Sequence, residues 1–172
     1  MKRRIATLLW MLALLFSLVG CVKTAGSVQP ITVGYQATAH LFCESAEYDC
    51  AVTVEQDGTC RFLIEKPSHF HDFTLVFCPD GTVYSTYKGM RYNTDLAHLP
   101  YGGALLTLWQ MLSTLQTESL TVYSQGGRFF VEGQLESGAF TMDIGGSGLL
   151  LSAECEEEEL SVTFSNMSLL AD

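Results

Sequence analysis

Basic residues are scarce in this chain. Its 172 residues include 9 Lys and Arg against 19 Asp and Glu, a formal net charge of -10. That imbalance disfavours sequence-independent binding to nucleic acid, which depends on cations that neutralise phosphates. Charged residues of either sign make up only 16% of the chain, too few for a solvated disordered tail or a coiled coil. No Cys-x-x-Cys pair occurs among the 6 cysteines, which leaves zinc-ribbon and thioredoxin readings without support. What is present is apolar. Hydrophobic residues account for 48% and aromatic ones for 11%, enough in a single domain of this length to bury a core.

The N-terminus reads as a targeting segment. Met1-Lys2-Arg3-Arg4 is a basic n-region, and Ile5 to Gly20 is an uncharged, largely apolar run of 16 residues. A membrane span needs about 20 such residues, so the run suits a signal-peptide h-region better. It ends in Leu18-Val19-Gly20-Cys21. These four residues resemble a bacterial lipobox, in which the Cys is lipidated on sulfur and becomes the new N-terminus. Cleavage before Cys21 would remove Lys2, Arg3 and Arg4, leaving 152 residues with 6 basic and 19 acidic side chains and a charge of -13. A body so acidic is repelled by anionic headgroups unless its lipid holds it there. Acyl chains contribute about 0.8 kcal/mol per buried CH₂, so a diacyl anchor is stable. Residues 1–20 are thus expected as signal peptide, 21–30 as lipidated Cys and tether, and 31–172 as the folded domain. The tether, Val22 to Pro30, could reach roughly 30 Å when extended.

The folded part reads as strands, one helix, then strands again. Ile31, Val33, Tyr35, Ala37, Ala39, Leu41 and Cys43 alternate with polar residues, which predicts a long half-buried strand. After a turn near Glu44 to Ala46 the apolar set is Tyr48, Cys50, Val52 and Val54; after Asp57-Gly58 it is Cys60, Phe62 and Ile64. Register decides the turn. A two-residue loop would put the last two apolar sets on opposite faces, whereas a three-residue loop pairs Val54 with Cys60 and Val52 with Phe62. A type I turn with Gly58 left-handed, closing a G1 bulge, is therefore expected. Pro79-Asp80-Gly81 repeats the chemistry and would pair Phe77 with Val83 and Phe73 with Tyr87. About five strands make up this first meander.

Gly102-Gly103 opens the one strong helical segment, Ala104 to Gln116, with Leu105, Leu108, Trp109, Leu112 and Leu115 on one face. So apolar a helix cannot lie exposed and is expected to pack across a curved sheet. Strand patterns resume over Leu120 to Tyr123, Phe129 to Glu132, Ala139 to Ile144, Leu149 to Cys155 and Leu160 to Ser165. The fold class is α+β, mostly β, with about ten strands and one main helix. This order, with the lipobox, the two Asp-Gly hairpins, the helix carrying Leu108-Trp109 and the final strand Val162-Thr163-Phe164-Ser165-Asn166, resembles the lipoprotein-carrier (LolA/LolB-like) superfamily. It is most similar to lipid-anchored clostridial members, a spore-germination lipoprotein among them. The resemblance implies an unclosed half-barrel whose concave side the helix closes over an apolar cavity. No arginine can be matched to the cavity, since Arg61, Arg91 and Arg128 all sit in strand or loop contexts that suit a surface.

Chemistry-bearing residues are thin elsewhere. Cys43, Cys50, Cys60, Cys78 and Cys155 remain after lipidation; Cys43 and Cys50 flank a turn as the best-placed pair, while the odd total leaves a thiol free and favours five free thiols. His69-Phe70-His71-Asp72 has a chelating spacing but no further matched ligand, so no metal is expected. Gly145-Gly146-Ser147-Gly148 lacks the final Gly of a nucleophile elbow and the Lys of a phosphate loop, which leaves a hairpin turn. Glu156 to Glu159 with Glu154 suits a solvated hairpin tip or a contact with a cation or basic partner. Leu105, Leu108, Trp109, Leu112, Phe129 and Phe140 are the candidates for lining a ligand cavity, the alternative for each being simple core; Phe130 shares that ambiguity. No catalytic constellation can be assembled, so an enzyme is the least favoured class, and no cofactor is expected. The leading expectation is a lipid-anchored, extracytoplasmic, non-enzymatic protein that binds an apolar ligand, with a partner-stabilising envelope or germination lipoprotein as the alternative.

Overall fold

A computed structural model describes residues 24–44, 46–96, 102–118 and 120–171. Residues 1–20, expected as signal peptide, and Cys21, the expected lipidation site, lie outside the described residues. From Tyr35 the chain runs as an antiparallel meander of β2 (Tyr35–Cys43), β3 (Ala46–Val54), β4 (Cys60–Lys66), β5 (Phe73–Phe77), β6 (Val83–Tyr87) and β7 (Met90–Asn93). Helix α1 (Gly102–Thr117) follows, then β8 (Val122–Gln125), β9 (Arg128–Leu135), β10 (Gly138–Ile144), β11 (Leu150–Cys155) and β12 (Leu160–Leu169). A two-residue strand β1, Thr24–Ala25, precedes them all. The twelve strands form one antiparallel sheet in the order β1-β8-β9-β10-β11-β12-β2-β3-β4-β5-β6-β7. Its two ends, β1 and β7, do not pair, so this is an unclosed half-barrel with one α-helix among the described residues.

Alternation gives the sheet its buried face. Tyr35 opposes Val54, Ala37 opposes Val52, Ala39 opposes Cys50 and Leu41 opposes Tyr48, and all eight are buried. The β3–β4 hairpin pairs Val54 with Cys60 and Val52 with Phe62, as the three-residue loop requires. Gly58 has φ +87, and its N–H donates to the Glu55 carbonyl at 3.0 Å. The β5–β6 hairpin repeats this with Gly81 at φ +83, pairing Phe77 with Val83 and Phe73 with Tyr87.

Helix α1 lies on the buried face. Ala104, Leu105, Leu108, Met111, Leu112 and Leu115 join strand residues from both halves of the sheet in one core cluster, with Leu106 and Trp109 packed at its side. Burying each large side chain contributes about 1.5 to 3 kcal/mol, so this stripe holds the helix in place. A Cβ on Gly102 would stand 2.2 Å from the Leu96 carbonyl oxygen, and the helix can start so close to the preceding chain only because that atom is missing.

Three expectations need correction, and the strand count grows by two. The first long strand starts at Tyr35, not Ile31, because Gly34 takes φ +70 and the Ile31 N–H donates to the Gly148 carbonyl instead. The expected strands, about ten, are joined by two more among the described residues. One addition is β7, which follows a two-residue turn with Lys88 at φ 49 and Gly89 at φ 78; the other is β1. The final strand runs on to Leu169 through an irregularity between Ser165 and Ser168, where Asn166 has φ 51. The segment read as a tether is docked from Thr24 onward, for β1 pairs with β8 and Val28 packs against the core.

The turns fall at two rims. Turns β8–β9, β10–β11, β3–β4 and β5–β6 share the rim at which the chain enters β1, while turns β9–β10, β11–β12, β2–β3 and β6–β7 share the far rim.

Candidate functional site

The expected cavity residues are brought together, and packed. Leu105, Leu108, Leu112 and Phe140 are exposed by 3% or less, and Trp109 and Phe129 are partly buried against the same cluster. The Trp109 ring stacks on Phe77, with centroids 5.1 Å apart and planes at 20°, and Phe77 meets Phe62 edge-on at 5.6 Å. Phe140 opposes Gly133, and its ring occupies the space of the missing side chain, 2.3 Å from where a Cβ would stand. Tyr35 is also fully buried, and its hydroxyl has no hydrogen-bond partner among the described residues. Desolvation, with a smaller contribution from Cys60, raises its pKa, so it stays a neutral phenol.

At the entry rim an open cleft of about 450 Å³ is lined by Gly26, Val28, Pro30, Leu115, Leu120 and Val122 among others. It lies between the N-terminal strap, residues 24–33, and the end of α1. At the far rim Glu44 meets Glu157, Glu158 and Glu159, with Glu44 at φ 54 and Glu159 at φ 47. Burial and these neighbouring carboxylates push the Cys43 thiol up.

The cysteines cannot bridge as placed. Cys50 opposes Ala39, four residues along β2 from Cys43, which is roughly 13 Å at strand rise and beyond disulfide reach. Burial pushes Cys50 up to about 12. His69 and His71 are exposed, His71 faces Asp72 at 3.4 Å, and no group of three metal-ligating side chains forms among the described residues. Gly145 to Gly148 is a hairpin turn closed by a 2.9 Å hydrogen bond from the Gly148 N–H to the Gly145 carbonyl. Among the described residues no helix is long and apolar enough to cross a membrane.

Among the described residues the cations have two kinds of neighbour. Arg61 pairs with Glu55, Lys66 with Asp49 and Arg128 with Asp143. Lys88 and Arg91 instead lie over aromatic rings, Lys88 5.2 Å from the Tyr87 centroid and Arg91 3.5 Å from that of Tyr84. Both belong to the β6–β7 hairpin, where Tyr87, Met90 and Tyr92 are exposed by 37%, 55% and 45%. None of Arg61, Arg91 and Arg128 enters the interior. The hairpin escaped sequence analysis, although the Lys88-Gly89 pair, suited to a tight two-residue turn, was its signal.

No family model matches the chain, and no curated protein matches it either.

Proposed function

We propose that this is a lipid-anchored extracytoplasmic protein with a LolA/LolB-like half-barrel that acts by holding a partner protein. The observation that carries this reading is the packing of α1, whose apolar stripe is taken up in the core cluster. The surface that remains for recognition is the β6–β7 hairpin. Tyr, Met and Arg are the residue types enriched in protein interfaces, and β7 is the last strand on its side of the sheet among the described residues. Lys88 and Arg91 give this hairpin a positive character in an otherwise acidic molecule, which suits a partner with an acidic surface.

The test is affinity capture from detergent-solubilised envelope, with protein and lipid measured in the same eluate. Wild-type bait should retain a protein in stoichiometric amount, Arg91→Glu with Tyr92→Ala should lose it while keeping its melting temperature, and lipid should be substoichiometric. Equal capture by both baits overturns the assignment of the hairpin.

A second reading, binding of an apolar ligand, is supported by the entry-rim cleft and its apolar lining of Val28, Pro30, Leu115, Leu120 and Val122. Trp109→Ala separates the two. With a filled interior it should cost about 3 kcal/mol, and neither form should bind a fluorescent fatty acid. Binding that changes on substitution while the fold survives would favour the ligand reading.

A further inference from the structure

Almost no slack separates the proposed lipid from the folded body. Thr24 and Ala25 oppose Ser124 and Tyr123. Beyond them the Gly26 N–H donates to the Val122 carbonyl at 2.7 Å and the Ile31 N–H to the Gly148 carbonyl at 2.8 Å. Val28, Ile31 and Val33 pack against the core. Only Val22 and Lys23 therefore lie between Cys21 and the sheet, a span of at most about 11 Å when fully extended. The headgroup layer is itself roughly 5 to 8 Å thick on each side of a bilayer.

From this leash we infer that the entry rim of the half-barrel rests against the lipid surface, with turns Gly126–Gly127 and Gly145–Gly148 at the headgroups and the far rim directed away. The inference rests on lipidation of Cys21. Charge agrees with this orientation. The entry rim carries few free carboxylates, Asp57 and Asp80 in its turns and Glu118 beside the cleft, against six glutamates at the other end of the sheet. Glu44, Glu136 and Glu156 to Glu159 all stand at the far rim. A nine-residue strand such as β3 separates the rims by roughly 30 Å, several Debye lengths at about 8 Å each. Those glutamates are screened from an anionic surface when the far rim points away and repelled by it when it points down. The orientation also leaves the Lys88-Gly89 turn on the rim that faces the envelope.

The experiment uses the full lipidated chain in phosphatidylcholine–phosphatidylglycerol vesicles with brominated acyl chains. Tryptophan is added at Ser147 on the entry rim or at Glu157 on the far rim, both exposed, and native Trp109 supplies a common background. Emission from Ser147→Trp should fall at least twofold relative to unbrominated vesicles, while Glu157→Trp should not change. Gly146→Trp, at a position where a Cβ meets nothing within 4 Å, repeats the entry-rim measurement if Ser147→Trp folds poorly. Ten Gly and Ser residues inserted between Lys23 and Thr24 should abolish the difference between the rims. Equal quenching at both rims, stronger quenching at Glu157, or a difference that survives the insertion overturns the inference. Intact mass and vesicle flotation report on the lipid itself: a chain without the acyl mass that fails to float overturns the anchor and the orientation together, whereas one that floats with the wrong pattern overturns the orientation alone.

Discussion

Val52 and Thr53 are neighbours in β3 with opposite fates. Val52 is fully buried between Ala37 and Phe62, whereas Thr53 faces outward beside Gln36 and Arg61. Val52→Asp would bury an unpaired carboxylate and should cost several kcal/mol, while Thr53→Asp should cost less than about 0.5 kcal/mol in urea denaturation. Equal costs would show that the register is shifted by one residue. Asp49 gives a residue-scale pH dependence. Hydrogen bonds from His40 and Lys66 hold its carboxyl below the ordinary carboxylate range. A lowered folded pKa contributes stability above the unfolded value, near 4, and that contribution is lost as pH falls through the folded value. Both partners are largely exposed, so Asp49→Asn should cost no more than about 1 kcal/mol at pH 7. The gap between the two urea midpoints should close below about pH 4.

At the scale of elements, the three-residue turn recurs with different surroundings. Gly81 and Gly148 have nearly the same φ, +83 and +86, but a Cβ on Gly81 meets nothing within 4 Å and one on Gly148 would stand 2.3 Å from the Gln29 carbonyl oxygen. Gly81→Ala should therefore cost only the strain of a left-handed residue, about 1 to 2 kcal/mol. Gly148→Ala should cost more and should speed hydrogen exchange at the Gly26 and Ile31 amides, because the strap must lift. Similar costs, with unchanged exchange, would show that the strap is not held by this turn. Much of this was legible in advance: the Asp-Gly pairs and the phase of the apolar residues specified both meander hairpins and their registers. The strap was not, because Val22 to Pro30 has no periodicity and the order of residues 24–33 comes from the β8 edge and from Gly148, about 100 to 120 residues away in sequence.

For the whole molecule, the proposed function makes the balance between lipid and charge decide where the protein resides. On that reading the mature charge of -13 gives little electrostatic attraction for an anionic bilayer, so the proposed anchor at Cys21 should be the sole means of retention. Cys21→Ala is expected either to move the protein into the soluble fraction or to leave an uncleaved precursor. In the soluble case its melting temperature should equal that of the wild-type body, since the lipid lies outside the core. Intact-mass analysis checks the same point, because an unmodified mature chain beginning at another residue would exclude the anchor.

The sequence alone determined the class of fold, the buried faces of β2 to β4, the two Asp-Gly hairpins and the apolar stripe of the helix. Each of these follows from interactions a few residues apart: alternation along a strand, the φ of a turn glycine, the 3.6-residue spacing of leucines. It also named the six cavity candidates, Leu105, Leu108, Trp109, Leu112, Phe129 and Phe140. Whether they line a space or fill one depends on how closely α1 approaches the sheet. That distance is set by the summed volumes of side chains from both halves of the half-barrel, by the Gly102 contact with Leu96 and by the Phe140 ring over Gly133. Tertiary structure alone decided that approach, along with the docking of the strap and the grouping of Tyr87, Met90 and Tyr92 beside Lys88 and Arg91, because no local pattern encodes the separation of elements distant in sequence.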